Sequence, residues 1–253
     1  MIASESFNSS RWFACLRWLL DVKQGVVPLV VPILDEQGSE LGVLRPITIE
    51  HLRDESLLER FVVWRNQHRL GYLDQRPVTL AGVRRYVEDV VYNPTRLTFL
   101  AYCDGRPIAR MGAVRIGPHE HESDGLVRGE RGGGMQFVHR AQLTGMVLLF
   151  YALNQTSIIS RVLSTNDLAR ESCTSLGYDM TPVVSQPVYR VCHADGDTLK
   201  TGGRVDELVE GVTLDTFRLD RAAFFARMSD RPGFHELENR LRDMFPAWKA
   251  GVT

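Results

Sequence analysis

Along this chain, apolar residues recur every three to four positions in some stretches and every two in others. Phe13, Leu16, Leu19 and Leu20 share helical spacing behind Ser9-Ser10, which predicts a helix from residue 11 to about 22, ended by Gly25. The apolar runs 26–34 and 41–47 flank Asp35-Glu36-Gln37-Gly38-Ser39 and read as a hairpin. Thr48 opens a helical region through Leu52, Leu57, Phe61, Val62 and Trp64. Val78-Thr79 precedes a further helix with Val83, Val87, Val90 and Val91 on one face, broken at Asn93-Pro94.

Two strands follow, residues 97–103 and 108–116, joined by the hairpin signal Asp104-Gly105. Residues 118–134 read as a polar, glycine-rich loop, 135–139 as a short strand and 145–153 as an apolar helix. A strand over 157–163 and a helix over 167–176 come next. Residues 183–191 and 212–219 have strand character, with a turn at Asp195-Gly196-Asp197 between them. A terminal helix over 234–245 turns Leu237, Leu241, Met244 and Phe245 inward. The order predicts an α/β chain, of α+β type with one mixed sheet.

The bulk properties narrow the class. With 253 residues, 44% hydrophobic and 24% charged, the chain is ordinary globular material for one large domain or two small ones. A net charge of −1 gives no global field toward nucleic acid or a membrane surface. The four cysteines are scattered with no C-x-x-C pair, which speaks against a zinc ribbon or a disulfide framework and fits a reducing cytosol. Arg17, Asp21 and Lys23 interrupt the apolar N-terminal region, so no run reaches the ~20 residues of a membrane span. The start MIASESFNSS carries Glu5 and no basic residue before Arg11, unlike a signal peptide. The expectation is a cytoplasmic protein with no membrane span and no nucleic-acid partner.

Ser164-Thr165-Asn166-Asp167-Leu168-Ala169, followed by Leu176-Gly177-Tyr178, resembles the closing motif of the GCN5-related N-acetyltransferase (GNAT) superfamily. Trp64-Arg65-Asn66 resembles the W-R-N of its ribosomal-protein and nucleotide-amino-sugar branches, and the Asp104-Gly105 hairpin with Ile108 is also similar. The resemblance runs from about Gly42 to Tyr178 and extends to Leu219. It implies a GNAT-like central mixed sheet flanked by helices over 42–219. Residues 1–41 would add an N-terminal helix and hairpin, and 220–253 a C-terminal helical extension. It further implies transfer of an acyl group, acetyl first, from acyl-CoA to an amine by direct attack, with no metal.

In that family a loop of the form Gln/Arg-x-x-Gly-x-Gly/Ala holds the pyrophosphate on helix N–H groups. Gln142, Thr144, Gly145, Met146 and Val147 are the preferred stretch here, with Val147 where a small residue is usual. Gly129-Glu130-Arg131-Gly132-Gly133-Gly134 is the alternative, read as lacking the leading Gln/Arg in register. The resemblance places Asn166 on the CoA arm; by itself Asn166 is also a helix cap.

A neutral amine nucleophile needs a base. His139, read on a strand, and Glu130 are the candidates, with His119, Glu120, His121 and Glu122 as a polar cluster upstream. The two histidines at i, i+2 lack a third metal ligand in sequence. Cys173 stands where the family often carries a tyrosine that protonates the departing thiolate; its ordinary pKa of ~8.5 makes it a different acid from tyrosine at ~10. Trp64, Arg65 and Asn66 are the acceptor-binding candidates, and Arg69, Arg76, Arg84 and Arg85 add positive charge nearby. The acceptor is then a small-molecule amine, an amino sugar or its nucleotide. Two other readings stand beside this one: a synthase that takes its acyl group from acyl carrier protein, and a non-catalytic GNAT-like binding protein. A homodimer is compatible with all of them.

Overall fold

A computed structural model describes residues 9–134, 136–202 and 207–244 of the chain. Helix α1 (Ser9–Lys23) leads into the hairpin β1 (Val31–Leu34) and β2 (Glu40–Pro46). A short turn of 3₁₀ helix precedes α2 (Glu55–Gln67), which is followed by α3 (Leu80–Tyr92). Strands β3 (Leu97–Cys103), β4 (Arg106–Val114) and β5 (Glu120–Arg128) form a meander. Then come α4 (Phe137–Ala152), β6 (Ser157–Leu163) and α5 (Asp167–Ser175). Strands β7 (Val184–His193), β8 (Gly196–Thr201) and β9 (Glu207–Asp220) lead to α6 (Arg221–Met228) and α7 (Phe234–Met244). All nine strands join one sheet in the order β1-β2-β3-β4-β5-β6-β9-β7-β8.

The two faces of the sheet follow from the period of two. On β3, Leu97, Phe99 and Ala101 enter one core with α1, α4, α6 and α7. Leu100, between them, enters the other core with α2 and α3. The N-terminal helix and hairpin and the C-terminal helices therefore share the core of the central sheet, through Cys15, Leu19, Val31, Phe224 and Leu241.

Among the described strands only β5 and β6 are parallel, and they pair from Glu120–Ser157 to Glu122–Ile159. Beyond that point β5 continues to Arg128 and β6 to Leu163 without a shared ladder, so the strands part. The same part of β5 is bulged. Arg110 faces Val127 and Gly112 faces Asp124, which leaves Gly125 and Leu126 opposite Met111 alone.

Several expectations are corrected. Residues 118–134 are not one loop, because 120–128 form β5. The strand expected at 135–139 is the start of α4 from Phe137 onward, and Met135 lies outside the described residues. On α1 the buried apolar positions are Cys15, Leu19 and Val22, while Phe13 is 67% exposed. Cys15, Leu19 and Val22 enter the core of the central sheet, while Trp12, Leu16 and Trp18 are only partly buried against it. Strand β8 carries one large apolar residue, Leu199, and helix α6 is only eight residues long, so neither announces itself in the sequence. On α7, Leu237 and Leu241 are buried but Met244 is exposed, and Phe245 lies outside the described residues.

Candidate active site

The end of β5 passes through Gly129-Glu130-Arg131-Gly132-Gly133-Gly134 into the first turn of α4. Gln136 occupies the cap position with no side-chain bond to the helix, so the first-turn N–H groups point past the helix end without a capping acceptor. Gly133 and Gly134 hold φ of +64° and +76°, and a side chain on Gly134 would point into open space. An open cleft of about 560 Å³ lies along this loop, lined by Gln67, His68, Arg128, Gly129, Glu130, Arg131, Gly132 and Gly134. Arg60 donates to Glu130 Oε1 at 2.6 Å on its wall. The loop does carry the leading arginine in register: Arg131 stands three residues before Gly134, and only Gln136 departs from the small final residue.

The preferred stretch is not a loop. Gln142, Thr144, Gly145, Met146 and Val147 lie in the middle of α4, where the backbone N–H groups serve the helix. The last four are buried, and Gln142 accepts from Ser172 Oγ at 3.0 Å. A Cβ on Gly145 would meet Leu44 and Met111 at ordinary contact distances, so that glycine is not needed for a close approach.

At the carboxyl end of β6, Asn166 caps α5 by accepting from the Ala169 N–H at 3.2 Å. Its Nδ2 donates to the Gly71 carbonyl at 3.2 Å, tying the α2–α3 connection to this end of the sheet. Where β5 and β6 part, a line of hydroxyls crosses the gap. Ser123, exposed on β5, donates to Ser160 Oγ on β6 at 3.2 Å. Cys173 Sγ, buried behind β6, donates to the same oxygen at 3.5 Å. Burial pushes the Cys173 thiol above its ordinary range. Tyr178 is buried, its hydroxyl reaches Ser123, and burial raises its pKa well above the ordinary value. Neither serine was legible as a site residue, since nothing in an isolated Ser sets it apart from a strand's polar face.

His139 is in the first turn of α4, not on a strand. Its Nδ1 meets Ser175 Oγ at 3.2 Å at the far end of α5 from Asn166. That helix spans roughly 13 Å at 1.5 Å per residue, which removes His139 from the parting strands. Its pKa is lowered, first by burial and then by Arg231 and Arg140. His121 is buried and bonded to Gln155, and burial lowers its pKa to about 4. Glu120 bonds Ser157 and Arg218, and Glu122 bonds Arg115 and Arg161. Among the described residues no cluster of three His, Cys, Asp or Glu side chains is arranged to hold a metal.

The three residues of the W-R-N segment are divided in role. Trp64 is buried on Phe61 and fills the space above Gly129. Asn66 clamps the backbone of Val78, donating to its carbonyl at 3.1 Å and accepting its N–H at 2.8 Å. Both are turned into the protein. Arg65 lies 3.7 Å over the Tyr72 ring.

No family model matches the sequence, and no curated protein matches it. Solved structures do. A GCN5-related N-acetyltransferase from Brucella melitensis superposes with a TM-score of 0.54 at 16% identity, over 90% of this chain and 86% of that one. RimL, the ribosomal L7/L12 alpha-N-protein acetyltransferase in complex with coenzyme A, gives 0.55 at 10% identity, over 77% and 99%. The chain has the GNAT fold. AAC(6')-Ib in complex with ribostamycin and coenzyme A gives 0.51 at 18% identity, over 74% and 97%. The GNAT fold accounts for the mixed sheet and for the single parallel pair at its centre.

Proposed function

We propose that the chain transfers an acyl group, acetyl first, from acyl-CoA to the amine of a small molecule. The observation that carries this reading is the parting of β5 and β6, with a glycine loop and an uncapped helix start at one strand's end and Asn166 at the other's. Ligands of sheets with parallel strands gather at such carboxyl ends. Positive-φ glycines and open N–H groups suit a pyrophosphate at Gly132–Gly134 and α4, with Arg131 adding charge. The bulge at Gly125 and Leu126 frees backbone beside the gap to polarise the thioester carbonyl. The amine attacks that carbonyl, the C–S bond breaks, and the sulfur takes a proton from the Tyr178 and Ser123 hydroxyls rather than from Cys173. Glu130 is the base candidate in the cleft wall. An amino sugar or its nucleotide is the first acceptor class to try, with Arg65 as its contact.

Calorimetric titration with acetyl-CoA, free CoA and a long-chain acyl-CoA tests this. Micromolar binding is expected, lost in Gly134→Glu and kept in Gln142→Ala. Loss in Gln142→Ala alone would return the site to the middle of α4. Absence of binding to all three compounds would sink the acyl-CoA reading and move weight to a carrier-protein donor.

A further inference from the structure

Two guanidinium groups without a carboxylate lie close together under the connection between α2 and α3. Arg110, 7% exposed on β4, donates to the Tyr86 hydroxyl and rests between the rings of Tyr86 and Phe61 at 4.7 and 5.8 Å. Arg65 on α2 donates through Nη2 to the Asp74 carbonyl, while its Nη1 is buried with no hydrogen-bond partner. The Tyr72 hydroxyl is buried beside Arg110, which it helps to hold charged, and has no acceptor for its own proton. Asp124 answers Arg110 only through the Tyr86 hydroxyl, which donates to it at 3.3 Å, and the acids nearby pair directly with other arginines. Asp124 pairs with Arg96 at 3.1 Å, Asp89 also takes Arg96, and Asp74 takes Arg76 at 2.8 Å. Among the described residues, neither Arg65 nor Arg110 has a carboxylate oxygen within ion-pair distance.

Buried charges are ordinarily paired, because the desolvation of an unpaired ion costs several kcal/mol. Here two cations repel each other, and Arg110 is among the groups that lower the pKa of Arg65. Aromatic faces offset part of this, by roughly 2 kcal/mol or more for a desolvated contact. They leave Arg65 Nη1 and the Tyr72 hydroxyl proton without an acceptor. An oxyanion is the ligand that uses them: it accepts from guanidinium N–H groups and a phenol at once, and its charge answers both arginines.

The location gives the oxyanion a meaning. The Tyr72 ring lies on Gly125, where a Cβ would come within 3.1 Å of it. Gly125 is in the β5 bulge, beside the gap where acyl transfer is proposed. We infer that Arg65, Arg110 and Tyr72 form an oxyanion subsite that binds a carboxylate or phosphate ester on the acceptor, so that the substrate is an anionic amine. Its assignment to the acceptor rests on the acyltransferase reading; the binding of the anion does not.

Two measurements separate the two claims. In the full chain, the Nε–H signals of arginine are followed by NMR during titration with acetate and with inorganic phosphate. Saturable shifts of Arg65 and Arg110 are expected with one of the anions, at least about tenfold weaker in Arg65→Gln and in Tyr72→Phe, each first checked for folding by thermal melt. No saturable shift with either anion overturns the subsite. In turnover with acetyl-CoA, amino acids are compared with their amides, and glucosamine with glucosamine 1-phosphate. The anionic member of one pair is expected to lead by about tenfold or more in kcat/KM, mainly through KM, and the lead should shrink in Tyr72→Phe. Which pair shows it tells carboxylate from phosphate. Equal use of neutral and anionic acceptors overturns the inference while leaving acyl transfer intact. Anion binding without any acetyl-CoA binding or turnover would leave the subsite standing and remove the acyltransferase reading.

Discussion

The Trp64 indole occupies the space that a side chain on Gly129 would need. The contact joins α2 to the first residue of the glycine loop, so the tryptophan sets the height at which the loop leaves β5. The W-R-N segment thereby acts on the loop through this packing contact.

Gly129→Ala should therefore force overlap with a fully buried ring. Overpacking of this kind costs roughly 1–3 kcal/mol. At about 2–4 °C per kcal/mol for a chain of this size, the melting temperature should fall by several degrees. Trp64→Leu in the same background should recover part of the loss, and differential scanning calorimetry on the two single variants and the double variant measures the coupling. Strict additivity would show that the contact has no energetic weight.

Much of the sheet was legible because its strands are apolar and bounded by turn residues. Asp104-Gly105 between β3 and β4 and the Asn166 cap of α5 are examples. Two elements were not. Strand β5 contains His121, Glu122, Ser123, Asp124 and Gly125 in succession, and it is held by its ladder with β4 and by ion pairs with Arg96, Arg115 and Arg161 rather than by alternating apolar residues. Helix α4 fails in the opposite way. Phe137, Ala141, Leu143, Val147 and Phe150 are buried on all sides, so the helical period is lost and Gly145 reads as punctuation. Misplacing α4 is what made residues 142–147 read as a loop and put His139 on a strand. Tyr72 and Arg110 escaped notice because their burial comes from segments distant in sequence, α3 and the bulge of β5.

Lys23 should make stability depend on alkaline pH. It is fully buried at the end of α1, and its ammonium donates to the carbonyls of Asn93 and Arg96 beyond α3. Burial lowers its pKa from 10.5 to about 8. Between those values the unfolded chain holds a proton that the folded chain has released. The Lys23 contribution therefore rises as pH rises through the window and is least favourable below about 8. Urea unfolding of the wild type and of Lys23→Met at pH 7.5, 8.5 and 9.5 isolates the term, because other groups cancel in the difference. A difference that is flat with pH would show that Lys23 titrates normally in the fold.

His121 predicts a dependence at the acid end. Buried against Gln155, it is held neutral with a pKa of about 4 in place of 6.5. Its contribution is complete above 6.5 and is lost as pH falls toward 4, where the unfolded chain binds the proton first. His121→Gln should flatten the loss of stability across that range, even if it lowers stability at neutral pH through imperfect packing. Acid titration followed by circular dichroism reads the slope; an unchanged slope would assign acid sensitivity to other groups.

The choice of proton donor gives the last prediction. Cys173 stands at the position where the sequence resemblance implies a tyrosine, yet it lies behind β6 and reaches the gap through Ser160. Tyr178 is raised well above the ordinary tyrosine pKa by burial and keeps its proton at neutral pH, and its hydroxyl reaches Ser123 on the open side. A donor that stays protonated until the thiolate forms is the one suited to the step. Tyr178→Phe should lower kcat for acetyl transfer by about 100-fold, a typical loss for a general acid, with little change in KM for acetyl-CoA. Cys173→Ala should stay within about threefold of the wild type, since it removes only a thiol bonded to a serine that keeps its other partner. Ser123→Ala should fall between them, and its double variant with Tyr178→Phe should be no slower than Tyr178→Phe alone, because the two hydroxyls serve one path. Thiol release from acetyl-CoA under saturating acceptor measures all four variants. A slow Cys173→Ala with a fast Tyr178→Phe would reverse the assignment and put the acid behind the strand.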